Sequence, residues 1–234
     1  MSSRHSAPSS SQTAVSLGGG CLPGYLLPPL AVVCIGVLLM FFSLGSTIAP
    51  VSAEIPDQAA EIPTSAPLLP LSSVFTPEVQ YWAGRIQVWA SAAGLDPNLV
   101  ATVMQIESCG DPRARSSAGA MGLFQVMPYH FTASDDPYAP DTNALRGLDY
   151  LRRSLVSAHG DPRLALAGYN GGIGVIGWSE DSWAAETQRY AYWGSGIYTE
   201  ASSGASESLR LQEWLRTSGE TLCRQAHDRL GINP

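Results

Sequence analysis

The amino-acid sequence predicts a mainly α-helical protein. After residue 75, apolar side chains recur every three or four residues, which is the spacing of one helix face. No run of alternating polar and apolar residues predicts a strand. Three residue pairs typical of helix starts precede the periodic stretches: Thr76-Pro77, Asp96-Pro97 and Asp161-Pro162.

The first two helices are predicted at 76–94 and 96–110. Thr76 supplies a capping hydroxyl, and Pro77 fits the first helical position, where a missing N–H costs little. Asp96-Pro97 opens the second helix in the same way. A glycine closes each periodic stretch.

Three further helices are predicted at 142–158, 161–172 and 183–192. The second of them opens with Asp161-Pro162 and closes with paired glycines. The Leu-rich tail at 206–230 predicts one or two more helices.

Charge and cysteine content exclude several classes of protein. The 234 residues carry a net charge of −7, and all 13 basic residues are Arg without a basic cluster, so nucleic-acid binding is not expected. Four Cys in this length rule out a small disulfide-stapled scaffold. Because no Cys or His pair has metal-ligand spacing, the sequence predicts neither a metal nor a cofactor.

The N-terminal part has the composition of a targeting segment. Residues 1–24 are rich in Ser, Gly and Ala and are expected to form a disordered cytoplasmic tail. Residues 25–49 are uncharged and mostly apolar, long enough for a transmembrane anchor. A cleaved signal peptide is the alternative, because small residues at 51–53 suit a cleavage site. Either alternative places the remainder of the chain in the cell envelope, outside the cytoplasm.

A Pro-rich linker is predicted at 50–74, where five prolines stand among Ala, Ser and Glu. This composition favours an extended, semi-rigid tether. The folded domain is then expected at 75–200, followed by a C-terminal helical extension at 201–234.

The carboxyl group of Glu107 falls in the last turn of the second predicted helix. Ile106 precedes it, and three uncharged residues follow. Apolar surroundings and the negative end of a helix dipole both raise a carboxyl pKa, as a general acid requires. A lone Glu at a helix end is more often a solvated surface acid, so this feature alone leaves both interpretations open.

A longer motif begins at Glu107. It consists of Glu107-Ser108, Pro112, Ser116, Gly122-Leu123-Phe124-Gln125 and Met127-Pro128. In order and spacing it resembles the soluble lytic transglycosylase (SLT) domain of glycoside hydrolase family 23, with Phe124 in place of the usual Met. Residues 167–172 resemble the family's Ala-Tyr-Asn-Ala-Gly motif, from which Gly168 departs. Glu186-Thr187-Gln188 with Tyr190 resembles the block that follows it, so the resemblance covers about residues 75–195.

The resemblance implies a lysozyme-like α-helical catalytic domain and a role for each matching residue. Glu107 matches the catalytic acid/base. The residues that match the lining of the sugar cleft are Ser116, Gln125, Met127, Tyr169 and Asn170. The residues that match supporting positions are Ser108, Glu186 and Tyr190.

The resemblance also implies cleavage of peptidoglycan glycan strands between N-acetylmuramic acid and N-acetylglucosamine. Glycosidases usually need two carboxylates, and the motifs place no second acid beside Glu107. The sugar's own 6-hydroxyl can replace it, giving a 1,6-anhydro product with Glu107 as both acid and base. One alternative is a hydrolytic lysozyme that uses Asp111, Asp135 or Asp136. The other is a non-catalytic wall-binding protein on the same scaffold. Protein partners are not indicated.

The cysteines suggest one disulfide. Cys21 and Cys34 flank or enter the apolar segment, which leaves Cys109 and Cys223 in an oxidising compartment. A bridge between them would pin the C-terminal extension to the end of the Glu107 helix. Two free buried thiols are the alternative.

Overall fold

The computed structural model describes residues 70–232. Eight α-helices lie in this range: α1 (Pro77–Gln80), α2 (Ala83–Ala93), α3 (Pro97–Ser108), α4 (Pro140–Ser157), α5 (Pro162–Gly171), α6 (Ala185–Ser202), α7 (Leu209–Trp214) and α8 (Glu220–Leu230). Short 3₁₀ segments lie at Pro128–His130, Ile173–Gly177 and Glu180–Ser182, and a π turn joins α7 to α8. Within the same range, β-structure is limited to two isolated bridges at Met121, to Arg115 and Val126. The prediction of a mainly α-helical fold is confirmed.

The predicted tail, apolar segment and most of the linker lie outside the described residues. Between residues 70 and 232, no helix combines the length and apolar character that crossing a membrane requires. The segment 25–49 was not part of that range, so its function as anchor or signal peptide stays a prediction.

Helix α3 is the central helix of the core. The Asp96 carboxylate caps it by accepting the Asn98 backbone N–H at 2.7 Å. Nine of its twelve residues are buried, on every face, as expected for a helix surrounded by others. It ends at Cys109, whose φ of 51° turns the chain sharply after Ser108.

The first predicted helix is divided in two, so its prediction as one element is wrong. Its interruption falls at Tyr81 and Trp82, between α1 and α2. The Trp82 indole N–H donates to the Gly110 carbonyl at 2.9 Å in the buried interior, and this tertiary bond is not visible in local sequence. The Thr76 hydroxyl does not cap α1 and instead contacts Cys109 Sγ at 3.4 Å.

Helix α6 extends ten residues beyond its predicted end, from 192 to Ser202. Gly194 and Gly196 lie in this added part of the helix, and each allows a close helix contact. A Cβ on Gly194 would lie 3.0 Å from Leu166, and one on Gly196 would lie 2.6 Å from Arg210. Packing therefore outweighs the low helix propensity of glycine.

The C-terminal extension is part of the same core as the predicted catalytic domain. Leu211, Trp214, Cys223 and Ala226 are buried in the main apolar cluster. At the other end, Leu71 and Val74 already pack on this cluster, within the segment predicted as linker. The folded unit thus includes the extension and begins before residue 75.

Helix α8 is fastened by one covalent and one polar contact to the chain at the end of α3, and by one further polar contact to α1. Cys109 and Cys223 form a disulfide with a Cα–Cα distance of 4.9 Å. The fully buried Asp111 carboxylate pairs with Arg229 at 3.0 Å. The third contact joins His227 Nδ1 to Glu78 Oε1 at 3.0 Å.

Asn143 of α4 holds the loop that follows α3. Its side-chain oxygen accepts the Phe124 N–H at 2.8 Å, and its amide donates to Met121 O at 2.8 Å and Pro137 O at 2.9 Å. Gly122 has a φ of 75°, and a Cβ there would lie 2.4 Å from the Asn143 amide. Asn143 and Gly122 therefore fit each other closely.

Reduction of the disulfide is expected to destabilise the domain. The sequence separation of 114 residues corresponds to an upper bound of about 4–5 kcal/mol in the chain-entropy model. Alkylation of the unreduced, denatured chain should leave Cys109 and Cys223 unlabelled, and the Cys109→Ala/Cys223→Ala variant should unfold at lower denaturant concentration. Labelling of both residues without reductant would contradict the bridge.

Replacement of Asn143 is also expected to destabilise the domain. Asn143→Ala leaves three backbone groups without their partner, which should lower the free energy of unfolding by at least about 2 kcal/mol. Leu145→Ala is the matched control, because Leu145 lies on the same helix and is 65% exposed. Equal denaturant midpoints for the two variants would show that the Asn143 side chain does not stabilise the loop.

Candidate functional site

A cleft of about 420 Å³ opens at the C-terminal end of α3. Its walls come from the loop after α3, the middle of α4, the end of α5 and the first turn of α6. The predicted site residues that line it are Glu107, Ser116, Gln125, Met127, Tyr169, Asn170 and Glu186. The fold therefore brings the three sequence motifs to one place.

Glu107 lies half-buried in the cleft, in the last turn of the buried helix α3. Desolvation, together with a smaller contribution from the charge of Glu186, raises the pKa of its carboxyl from 4.5 to about 8. The Tyr190 hydroxyl, which donates to Glu107 Oε1 at 2.8 Å, acts in the opposite direction. At neutral pH the carboxyl is therefore protonated and can donate a proton.

Two tyrosine hydroxyl groups lie near this carboxyl, that of the buried Tyr190 and that of the half-buried Tyr169. Desolvation and the nearby Glu107 raise the pKa of both Tyr190 and Tyr169 well above the ordinary value, so both keep their protons. The Tyr169 hydroxyl donates to Phe124 O at 2.7 Å. Gly147 leaves the necessary space, because a Cβ there would meet Phe124 at 2.6 Å and the Tyr169 oxygen at 3.2 Å.

Three polar side chains in the cleft are partly engaged by the protein. Ser116 Oγ accepts the Ala120 N–H at 3.0 Å, which leaves its hydroxyl hydrogen free to donate. The Gln125 amide donates to Ala114 O and Gly122 O, which leaves its oxygen as an acceptor. Asn170 accepts the Thr187 hydroxyl at 2.8 Å, which leaves its NH₂ group as a donor. The cleft thus offers fixed donors and acceptors to a neutral polar ligand.

The remaining predicted residues occupy different positions around the cleft. Ser108 is fully buried, and its hydroxyl donates to Leu123 O at 2.7 Å, which ties α3 to the loop. Met127 is half-buried in the wall. Glu186 is exposed at the start of α6, so it lies at the rim.

None of the three acids suggested for a hydrolytic mechanism lines the cleft. Asp111 is fully buried, pairs with Arg229 and accepts an N–H from Gln225 at 3.1 Å. Asp135 pairs with Arg146 at 2.8 Å. Asp136 accepts the Tyr138 N–H at 3.0 Å in an exposed turn. One of them could act as a second catalytic acid only if the fold brought it near Glu107, and the fold does not bring any of the three into the cleft. Among the residues that line the cleft, the other carboxylate is that of Glu186.

Sequence reasoning missed several residues of the cleft wall. Tyr129, His130 and Tyr150 lie along it, and Thr187 fixes Asn170 from behind. The sequence next to Met127-Pro128 contains aromatic residues, but aromatic content alone does not indicate a binding site.

One group of potential metal ligands occurs among residues 70–232, away from the cleft. Ligand atoms of Glu78, Cys109 and Cys223 lie within 4.8 Å of one another. Because the two sulfurs are bonded to each other, they provide no thiolate for an ion.

Comparison with known proteins places these features in a family. The model of the Transglycosylase SLT domain family matches residues 84–191, a range that includes Glu107 and Tyr190. A protein of Enterobacteria phage PRD1 described as "Transglycosylase" is 42% identical over 100 residues, which are 41% of this chain and 35% of the phage protein. The chain thus spans about a third of the length of that curated relative.

An X-ray structure of an inactive variant of the lytic transglycosylase Slt from Pseudomonas aeruginosa is also similar. The TM-score is 0.43 at 24% sequence identity, and the match covers 53% of this chain and 25% of the other. On the family match and the motifs in the cleft, residues 84–191 of this chain are a transglycosylase SLT domain.

Proposed function

We propose that this chain is a peptidoglycan lytic transglycosylase that cleaves the β-1,4 bond between N-acetylmuramic acid and N-acetylglucosamine. The observation that carries the proposal is the protonated carboxyl of Glu107 in the cleft, with a pKa of about 8 and a hydrogen bond from Tyr190. The family match and the phage relative support the same activity. A cell-wall substrate implies that the domain acts in the cell envelope.

The proposed mechanism uses Glu107 twice. Its carboxyl first donates a proton to the glycosidic oxygen, the bond to the muramic acid C1 breaks, and the acetamido oxygen of that sugar stabilises the cationic centre. The Glu107 carboxylate then accepts the proton of the sugar's 6-hydroxyl, whose oxygen bonds to C1. The products are a 1,6-anhydro end and a free sugar hydroxyl, and Glu107 regains its proton without water.

The polar groups of the cleft suit an N-acetylated sugar. An acetamido group has one donor and one acceptor, and the cleft offers the Asn170 NH₂ donor and the Gln125 oxygen acceptor. The Ser116 hydroxyl and the wall residue Met127 complete the sugar contacts in this proposal. No cofactor enters the reaction.

Replacement of Glu107 should remove glycan cleavage. Glu107→Gln cannot relay a proton, so the rate should fall by at least about 100-fold. The measurement is release of soluble sugar from peptidoglycan by the full chain, with exposed Glu207→Gln as the control. Comparable turnover by Glu107→Gln and the parent would exclude the assignment.

The mass of the released sugars separates the alternatives. Anhydro ends support the transglycosylase, whereas reducing ends, heavier by one water, support a lysozyme. For a hydrolase, Glu186→Gln should lower the rate as much as Glu107→Gln does. Binding without release would support a wall-binding protein.

The pH dependence should follow the protonation of Glu107. The value of kcat/KM should fall as pH rises through about 8, because the general acid loses its proton. Since the charge of Glu186 raises the pKa of Glu107, Glu186→Gln should move this decline to lower pH. A decline at the same pH in both enzymes would contradict the electrostatic coupling.

The same pKa predicts a change in stability. The folded pKa lies above the ordinary value of 4.5, so the folded state retains a proton that the unfolded chain releases. This stabilising contribution is complete below pH 4.5 and is lost as pH rises to about 8. Thermal unfolding should therefore show Glu107→Gln gaining Tm relative to the parent over this window.

A further inference from the structure

Three buried side chains with metal-binding atoms meet where α1, α3 and α8 come together. A carboxylate oxygen of Glu78 and the sulfurs of Cys109 and Cys223 lie within 4.8 Å of one another. The exposed fractions of the three residues are 7%, 0% and 8%. We refer to them as the Cys–Glu cluster. Because its members come from distant parts of the chain, no local spacing in the sequence predicts it.

The side chain of Gln105 directs an N–H group at both sulfurs. This fully buried amide lies with Nε2 3.0 Å from Cys109 Sγ and 3.5 Å from Cys223 Sγ. Its orientation is fixed, because its oxygen accepts the Thr76 backbone N–H at 3.2 Å. The sulfur of a neutral cysteine is a weak acceptor, whereas a hydrogen bond to an ionised group is about twice as strong. The donors around the cluster therefore suit a thiolate better than a disulfide.

The carboxylate of Glu78 is oriented from the opposite side by His227. The imidazole Nδ1 lies 3.0 Å from Glu78 Oε1. A second residue that holds a ligand by a hydrogen bond is a common feature of metal sites. The His227 side chain is 35% exposed, so this side of the cluster faces solvent and gives an ion a path of entry.

We propose that the Cys–Glu cluster binds one Zn²⁺ ion when its disulfide is reduced. A dithiol supplies two electrons and two protons, the bond between Cys109 and Cys223 breaks, both sulfurs become thiols, and the dithiol becomes a disulfide. The ion then displaces the two thiol protons and binds both thiolates and the Glu78 carboxylate. Water completes the four ligands that zinc prefers.

The positions of the three ligand atoms are close to those that zinc requires. In a tetrahedral zinc site, sulfur and oxygen ligands lie about 3.6–3.8 Å from one another. Since the three atoms already lie within 4.8 Å, the carboxylate needs to move by about 1 Å. The Cα atoms of the two cysteines are 4.9 Å apart, so rotation about their Cα–Cβ bonds separates the sulfurs sufficiently. Thiolate ligands favour zinc over Mg²⁺ or Ca²⁺.

The ion and the disulfide are alternative links between the same two parts of the fold. A chain is synthesised with its cysteines reduced, and the bridge forms only by later oxidation. In the reduced chain, zinc would join α8 to the end of α3 in place of the bridge. Oxidation of the two thiolates would then remove two of the three protein ligands and release the ion.

Zinc binding to the reduced full chain tests the proposal. The parent carries Cys21→Ser and Cys34→Ser, so that Cys109 and Cys223 are its only cysteines. A phosphine reduces the bridge under nitrogen: water gives its oxygen to the phosphine and its two hydrogens to the sulfurs. Calorimetry then records the binding of Zn²⁺, and circular dichroism records the fold. The controls are the oxidised parent and a further variant with Cys109→Ser and Cys223→Ser.

Two variants test the carboxylate. Glu78→Gln keeps the size of the side chain but removes the charged ligand, and exposed Glu207→Gln is its matched control. His227→Phe removes the partner of Glu78 and acts from outside the cluster. Circular dichroism of the oxidised variants verifies that each one folds before reduction.

The reduced parent should bind about one Zn²⁺ per chain, and its denaturant midpoint should rise with zinc but not with Mg²⁺. The oxidised parent and the variant without Cys109 and Cys223 should bind none. Glu78→Gln and His227→Phe should each weaken zinc binding at least about tenfold, whereas Glu207→Gln should match the parent.

Three outcomes would overturn the proposal. The first is equal zinc binding by the reduced and oxidised parent, and the second is an equal affinity of Glu78→Gln and Glu207→Gln. The third is a reduced parent that is unfolded and stays unfolded when zinc is added. All of these measurements are made without a sugar substrate, so their result is independent of the proposed glycan cleavage.

Discussion

The site depends on keeping one carboxyl group, that of Glu107, out of water while leaving it in contact with a ligand. A carboxyl in solvent would be ionised at neutral pH and could not act as an acid. Here the apolar body of the domain surrounds α3, and desolvation raises the pKa of Glu107 to about 8. Tyr190 supplies a single hydrogen bond, which orients the group yet lowers the pKa less than burial raises it. The balance between these two effects sets the chemistry available to the cleft.

This balance requires a fixed end to α3, because a small displacement would admit water to Glu107. Three contacts hold this end of the helix. The Ser108 hydroxyl donates to Leu123 O in the following loop, and Cys109 forms the disulfide. Asp111 pairs with Arg229. Removing Arg229, which is exposed, would be costly, because it would take a positive charge away from the fully buried Asp111 carboxylate. The family match ends at residue 191, whereas Cys223 and Arg229 lie beyond it. Two of the three contacts therefore join the matched domain to a part of the chain outside the match. We infer that α8 supports α3, the helix that carries Glu107.

The sequence predicted those features of the fold that depend on interactions between neighbouring residues. The capping carboxylates of Asp96 and Asp161 act through neighbouring N–H groups, and both helices begin where the pattern places them. The break at Trp82 and the loop held by Asn143 depend on partners far along the chain, and no periodicity contains them. Asp111 shows the same limit, since its sequence neighbours do not reveal the arginine that neutralises it. The three motifs contain most of the residues that line the cleft. Because the motifs are far apart in the sequence, the contacts between their side chains could not be predicted.

The two ends of the cleft are lined by different kinds of side chain. Around Glu107, the polar side chains of Ser116, Gln125 and Asn170 are held by protein partners, so they offer donors and acceptors in fixed positions. In the proposed function, these are the groups that the reacting sugar meets. Away from Glu107, the wall changes to rings that need no directional bond. A glycan strand repeats the same sugars along its length, so directional contacts are needed only where one bond must be selected.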